Sequence, residues 1–318
     1  MQQRLSVHLL TGSSGILSHP VELPVAAGSI RDCATLVTPS RYGGAVAATG
    51  LEVRLHQGRE RAEVSTFTRT LDEIVLSLRE IDQVYLLRGT RATWVLDHLE
   101  HQRQDLVVRL QPRNVPATRD VADMAVPVQA LLDGAEVLQH RAMVPELFAP
   151  KTVTRLAKLA TPTVGVMGVS LAAYNGKTSD RVELDGEVKD NATAAVNPIE
   201  IAYGSVSGTL SGLRHVQRRQ GGVQVTLRDD LERRAITGFV PESQTEQLRQ
   251  LWRHRVLFGG IIKRNASGQA IHIEVDRVER MPEDNSGRPS TDELLGAIEG
   301  WTEKQIEEFL RGMRRPNG

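Results

Sequence analysis

The sequence predicts an α+β protein: antiparallel hairpins and helices in its first two thirds, then five strands around one short helix, then a short helical tail. Three patterns lead there. Leu71, Ile74, Val75, Leu78 and Ile81 recur at the i, i+3, i+4, i+7 spacing of a helix with one apolar face. Val223-Gln224-Val225-Thr226-Leu227 alternates with the strict period of a half-buried strand. The order β-α-β-β-α-α-β-β before residue 198 lacks the regular βαβ alternation of a parallel sheet.

Residues 1–50 are rich in Gly, Ser, Pro and Thr and read as an irregular extension. An α+β domain follows over 51–197. In it, Leu51–Leu55 and Ala62–Thr66 read as short strands about Gln57-Gly58, and Leu71–Ile81 as a helix capped by Thr70. Ala92–Leu99 and Asp105–Leu110 read as strands about a polar turn, and Val126–Leu138 and Pro150–Leu159 as helices. Val164–Ala173 and Arg181–Leu184 read as a hairpin about Asn175-Gly176, with a helix at Val188–Val196. Over 198–282 the strands are Ile201–Leu213, Val223–Leu227, Arg234–Val240, Arg255–Ile262 and Ala270–Val278. A helix at Ser243–Arg253 puts Leu248, Leu251 and Trp252 on one face, which makes Trp252 the expected anchor of the core there. Residues 283–318 read as a polar linker and two short helices, and Ile306, Phe309, Leu310 and Met313 line one face of the second.

The 318 residues carry 39 basic and 39 acidic side chains and are 40% hydrophobic, which excludes wholesale disorder. The zero net charge hides an asymmetry. Ile201–Arg280 holds 13 basic and 8 acidic residues, while the stretch after it holds 5 and 8, a distribution that points mildly to a polyanion. The single Cys33 excludes an internal disulfide framework and fits a reducing compartment, so a cytoplasmic location is expected. Only six of the basic residues are Lys, as in a GC-rich bacterial coding sequence. No apolar run has the length of a signal peptide or bilayer span, and no membrane contact is expected.

The segments GSVSGTL, VQVTLRDD, RVLFGGIIKRNASGQ and IHIEVDRVE, within Ile201–Arg280, together resemble an OB-fold nucleic-acid-binding module, and the whole chain resembles uncharacterised actinobacterial proteins with the same tail. The resemblance implies an OB-like five-stranded β-barrel whose first and fourth inter-strand loops meet a single strand or oligosaccharide. Arg214, Arg218 and Arg219 then belong to the first loop and Lys263 and Arg264 to the second, with Gln224, Thr226 and Arg228 on the face between them. OB barrels also serve as protein-binding and purely structural modules, and Arg is the favoured surface cation of this chain.

Enzyme-like patterns are weak. Gly176-Lys177-Thr178 lacks the earlier Gly of a phosphate loop, because Leu171 stands there. Asp185-Gly186-Glu187-Val188-Lys189 matches a nuclease tripeptide that chance supplies about once in such a chain, with its carboxylates too close for separate strands. His98 and His101 point to opposite faces of a strand. No cofactor, metal site or catalytic residue is expected. The leading expectation is therefore a non-enzymatic binding protein for single-stranded nucleic acid or another polyanion. Its tail residues Trp301, Ile306, Phe309, Leu310 and Met313 would recruit a protein partner or a second copy. The alternative is an assembly subunit that never meets nucleic acid, and a metal-dependent nuclease ranks below both.

Overall fold

Strand β1 (Gly50–His56) is the middle strand of a five-stranded antiparallel sheet, and its Leu51, Val53 and Leu55 are fully buried against a layer of helices. The computed structural model describes residues 49–87, 89–113, 119–215 and 221–282, all within one compact unit. After β1 come α1 (Val64–Tyr85), β2 (Thr93–Gln102), β3 (Asp105–Arg113), α2 (Val121–His140), α3 (Pro150–Leu159), β4 (Gly168–Tyr174), β5 (Val182–Leu184) and α4 (Gly186–Val196). The sheet order is β2-β3-β1-β4-β5. Its first four strands thus follow the split βαβ pattern, in which β1-α1-β2 leaves a gap that β3 fills, with β5 added at one edge.

Helix α1 starts where a strand was expected. Within Ala62–Thr66 only Val64 and Thr66 favour a strand, and Val64 opens the helix while Thr70 lies inside it, not at its cap. Thr68 Oγ1 and Thr70 Oγ1 donate to the carbonyls of Val64 and Thr66 at 2.7 and 2.9 Å, so their hydroxyls are satisfied within the helix. Phe67 and Leu71 extend the apolar stripe onto the sheet, and that burial overrides local propensity. The expected strand Val164–Ala173 shortens in the opposite sense. Gly165 adopts φ +78° in a turn bridged by Thr163 and Val166, which leaves Val164 exposed and delays β4 to Gly168.

Helix α2 carries Pro127 in its second turn, where the missing N–H would orphan the Asp123 carbonyl. Arg119 Nη2 donates to that carbonyl at 2.6 Å and also holds buried Asp82 at 2.7 Å. Further along α2, Gly134 lies under the fully buried Phe148 ring, so closely that a Cβ there would come 2.3 Å from Phe148 Cζ. Gly134→Ala should therefore destabilise by about 1 to 3 kcal/mol through overpacking, although Ala is the better helix former by roughly 1 kcal/mol. A urea midpoint unchanged or raised would show that the ring moves aside.

On the sheet's other face Glu52 is 2% exposed. It accepts from Arg181 Nη2 at 2.8 Å, Arg109 Nε at 3.0 Å and Thr178 Oγ1 at 3.1 Å. Burial alone would raise its pKa, but the hydrogen bonds from Arg181, Arg109 and Thr178 outweigh it and hold the carboxyl below its ordinary value. The unfolded chain thus binds the proton first as pH falls. The stabilisation is complete above the ordinary carboxylate range, near about 4.3, and is lost as pH drops through the lower folded value. Comparing denaturant midpoints at pH 6, 4 and 3 should show a shallower acid-side decline in Glu52→Gln than in the parent chain.

The second layer is a closed barrel of β6 (Glu200–His215), β7 (Val223–Arg228), β8 (Ala235–Val240), β9 (Arg255–Arg264) and β10 (Ala270–Arg280), in the order β10-β8-β7-β6-β9. A single 3-10 turn (Glu242–Gln244) and α5 (Thr245–Gln250) lie between β8 and β9. Strand β6 serves two neighbours in succession: Glu200–Thr209 pairs with β9 and Thr209–His215 with β7, with an irregularity between Leu210 and Gly212. The β8–β10 pair is parallel and closes the barrel. Leu210, Val225, Leu227, Val256, Phe258 and Ile273 fill the interior, while Gln224 and Thr226 face outward as their alternation requires.

Polar contacts fasten the barrel to the first layer. Gln269 Oε1 accepts from Val144 N at 2.7 Å and Gln269 Nε2 donates back to Val144 O at 3.3 Å. Asn265 Nδ2 donates to Ala195 O at 2.8 Å, Ser267 Oγ to Ala142 O at 3.0 Å, and Ala235 N to Phe148 O at 2.8 Å. Ala235 and Ile271 join the apolar core of the first layer. No helix among the described residues is long and apolar enough to cross a membrane.

Candidate functional site

A cleft of about 660 Å³ opens where the outer face of β6, β7 and β8 looks across at α1 and the start of α3. Glu80, Gln83 and Val84 of α1, Arg91 of the α1–β2 loop, and Ala149 and Lys151 at the start of α3 form one wall. Gly212, Leu213 and Arg214 of β6, with Gln224, Thr226 and Thr237, form the other, and Trp252 completes it. The volume lies within the range of roughly 300–1,000 Å³ common for small-ligand sites.

Strand alternation places the barrel's contribution. Arg214 and Gln224 are cross-strand partners, as are Gly212 and Thr226, so these side chains share one outward face. Gly212 permits a close approach of the two walls: a Cβ there would lie 2.8 Å from Thr226 Oγ1 and 3.4 Å from Gln83 Nε2. From the other wall, α3 enters without a side-chain cap at Ala149 and without an acidic residue in its first turn.

Charge in the cleft is biased toward cations. Its acid, Glu80, is engaged before any ligand arrives, by Lys151 at 3.2 Å, Arg155 Nη2 at 3.2 Å and Thr152 Oγ1 at 3.0 Å. Arg91 and Arg214 have no ion-pair partner among the described residues. Gln83 Nε2 donates to Ser211 O at 3.5 Å, so the cleft can offer cations to phosphate oxygens, the Gln224 amide to a base edge, and the indole of Trp252 as a stacking surface.

Trp252 is not in the barrel core, contrary to the expectation from helical spacing. Helix α5 ends at Gln250, two residues before the Trp, and Arg253 takes φ +65°. Arg253 N then donates to Leu210 O at 3.1 Å, turning the chain back along β6, so Leu248 and Leu251 stay inside while Trp252 is 36% exposed. The Arg253 guanidinium lies 5.8 Å from the indole centroid.

The other expected site residues divide. Arg214, Gln224 and Thr226 line the cleft. Arg228 lies on the same strand, but its Nη1 donates to Tyr85 O at 3.5 Å, and burial followed by the neighbouring Arg233 lowers its pKa. Lys263 is paired to Glu274 at 2.8 Å, and Arg264 Nη1 donates to Gly268 O at 3.0 Å. The β9–β10 turn beyond them is occupied in docking, and along β6 the partner of Lys263 is Ile201, whereas Arg214 lies near the far end. The structure therefore does not bring Lys263 and Arg264 to the cleft. Arg218 and Arg219, the tail residues Trp301, Ile306, Phe309, Leu310 and Met313, Cys33 and nearly all of the N-terminal extension lie outside the described residues.

The weaker patterns have structural roles. Asp185 caps α4 by accepting from Val188 N at 3.0 Å, and Thr178 supports Glu52. His98 sits beside Glu100 at 3.3 Å and His101 beside Arg61 at 3.1 Å. Among the described residues no group of three or more His, Cys, Asp or Glu is arranged to hold a metal.

No family model matches this chain, and no curated protein matches it. Among solved structures, RecG bound to a three-way DNA junction is 18% identical with a TM-score of 0.20, over 36% of this chain and 18% of that one. The ZRD-deleted mutant of TiaS in complex with agmatine is 9% identical with a TM-score of 0.17, over 74% of this chain and 90% of that one. Likenesses at this level fix no function, and the geometry of the cleft stands by itself.

Because Trp252 lies at the surface of the cleft, Trp252→Ala should cost less than about 1.5 kcal/mol, whereas Leu248→Ala, in the barrel core, should cost about 2 to 5 kcal/mol. Guanidinium denaturation of the two variants measures the contrast, and equal losses would return the Trp to the core.

Proposed function

We propose that this chain is a non-enzymatic binding protein whose OB-like barrel, together with α1 and α3, contacts single-stranded nucleic acid or a similar polyanion. The element order of three strands, a helix and two strands, closed by a parallel pair of the third and fifth strands, supports the OB-like reading. The observation that carries the function is the convergence of Arg91 and Arg214, unpaired among the described residues, with Trp252 in one cleft. Its outward strands β7 and β8 are the second and third of the barrel, the face on which OB modules hold their ligands. In this reading the tail residues Trp301, Ile306, Phe309, Leu310 and Met313 recruit a protein partner, and the protein works in the bacterial cytoplasm.

A second reading, an assembly subunit without nucleic acid, draws on a separate feature. Ile199, Ile201 and Tyr203 at the start of β6 and Ile261 of β9 are exposed together, with Tyr203 and Ile261 in register. The nearby cations are spoken for: Lys263 by Glu274 and Arg277 by Glu279. Such a patch suits protein contact better than phosphate.

Titrating the full chain with single-stranded DNA and RNA at 50 and 200 mM salt separates the readings. Two phosphate contacts predict that log K falls with log[salt] at a slope of about −1.4, using roughly −0.7 per contact for single strands, or about a sevenfold loss between the two conditions. The Arg91→Ala, Arg214→Ala double variant should flatten that slope. A parent chain whose binding ignores salt is not a polyanion binder, and the assembly reading then stands.

A further inference from the structure

Resting on the nucleic-acid reading, we infer that the cleft takes one or two unpaired nucleotides, such as a strand end, with a base on Trp252, its edge against the Gln224 amide, and phosphates at Arg91 and Arg214. Barrels that follow a long single strand spread several aromatic side chains along a groove, one for each successive base. Here, among the described residues, Trp252 is the one aromatic lining the cleft. The space, about 660 Å³, is that of a small-ligand pocket and is bounded on the far side by α1 and α3 instead of running open across the barrel.

The polar groups fit the same small occupant. A Gln amide presents a donor beside an acceptor, the complement of a base edge. Gln224 presents its amide from β7, whereas Gln83 of α1 donates from Nε2 to Ser211 O at 3.5 Å and so bridges the two walls. Two cations without a carboxylate partner among the described residues, Arg91 and Arg214, match the one or two phosphates that such a segment carries, and Glu80, already held by Lys151 and Arg155, adds little repulsion. A paired base could not lie on Trp252, because both faces of its ring are stacked on its neighbours. The inference therefore sets unpaired ends and extruded nucleotides apart from both duplex and long single strand.

The probes are a blunt duplex and the same duplex with 3′ extensions of one, two, four and eight nucleotides, in DNA and RNA, titrated against the full chain. Affinity should rise about tenfold from the blunt form to the two-nucleotide extension and change less than twofold from there to eight. Trp252→Ala should abolish the rise, and Trp252→Phe, which keeps a stacking ring, should retain most of it. Affinity that keeps climbing through eight nucleotides, or a rise that survives in Trp252→Ala, would falsify the inference while leaving the nucleic-acid reading intact. If even long single strands fail to bind at low salt, the nucleic-acid reading falls and this inference with it.

Discussion

Gln269 and Val144 exchange two hydrogen bonds through buried atoms, and beside them Asn265 reaches the last turn of α4. Each of these amides would cost about 1 to 3 kcal/mol if left without a partner, so the turn between β9 and β10 tolerates one seating against the first layer. That seating sets the distance between β7 and α1, and with it the width of the cleft. The backbone link from Ala235 to Phe148 repeats the constraint about one residue from the buried Arg234, whose Nη1 donates to Ala270 O at 2.7 Å. The barrel is therefore held by two neighbouring strands, β8 and β10, and the face it turns to α1 is fixed by its own parallel closure.

Two kinds of charge follow from this frame. In the first layer, charges are consumed locally: Glu73 and Glu80 of α1 grip Arg155 of α3, and Asp82 grips Arg119, so that helices are registered to one another with little field left over. Glu73 is held below the ordinary carboxylate range because hydrogen bonds from Arg155 and Lys158 outweigh the opposing effect of burial. At the cleft the pattern differs. Arg91 and Arg214 approach from separate layers without an ion-pair partner among the described residues, while the carboxylate that lines the cleft, Glu80, is held by Lys151 and Arg155.

The elements with local signatures were legible in the sequence. Helix α3 was bounded correctly because Pro150 sits at its first turn and its apolar face is regular, and β7 was legible from alternation alone. The order of strands around the barrel's helix was equally readable. Sheet order was not, since β1 lies between β3 and β4 by long-range pairing that leaves no local trace. Trp252 was misplaced because a six-residue helix and a left-handed Arg253 broke the spacing on which its burial rested. Of the cleft, Gln224 and Thr226 could be named from the OB-fold resemblance and the alternation of β7, whereas Arg214, expected in the first loop, lies near the end of β6. Gln83, Arg91 and Lys151 could not be named, because nothing near them in sequence reports that strands far later in the chain face them. The available hint was Gly212, a glycine inside a strand, which marks the close approach of another element.

The central position of β1 also shapes how the chain is made. Its pairing partner β3 ends at Arg113, but β4 begins only at Gly168, so one edge of Gly50–His56 must wait through the synthesis of α2 and α3. At about 5 to 20 residues per second a gap of this length lasts several seconds on the ribosome. Throughout that interval a strand with three core Leu and Val side chains has an open hydrogen-bonding edge, the feature that recruits other chains. Nascent-chain handling, more than the stability of the finished fold, is thus where this topology is most exposed.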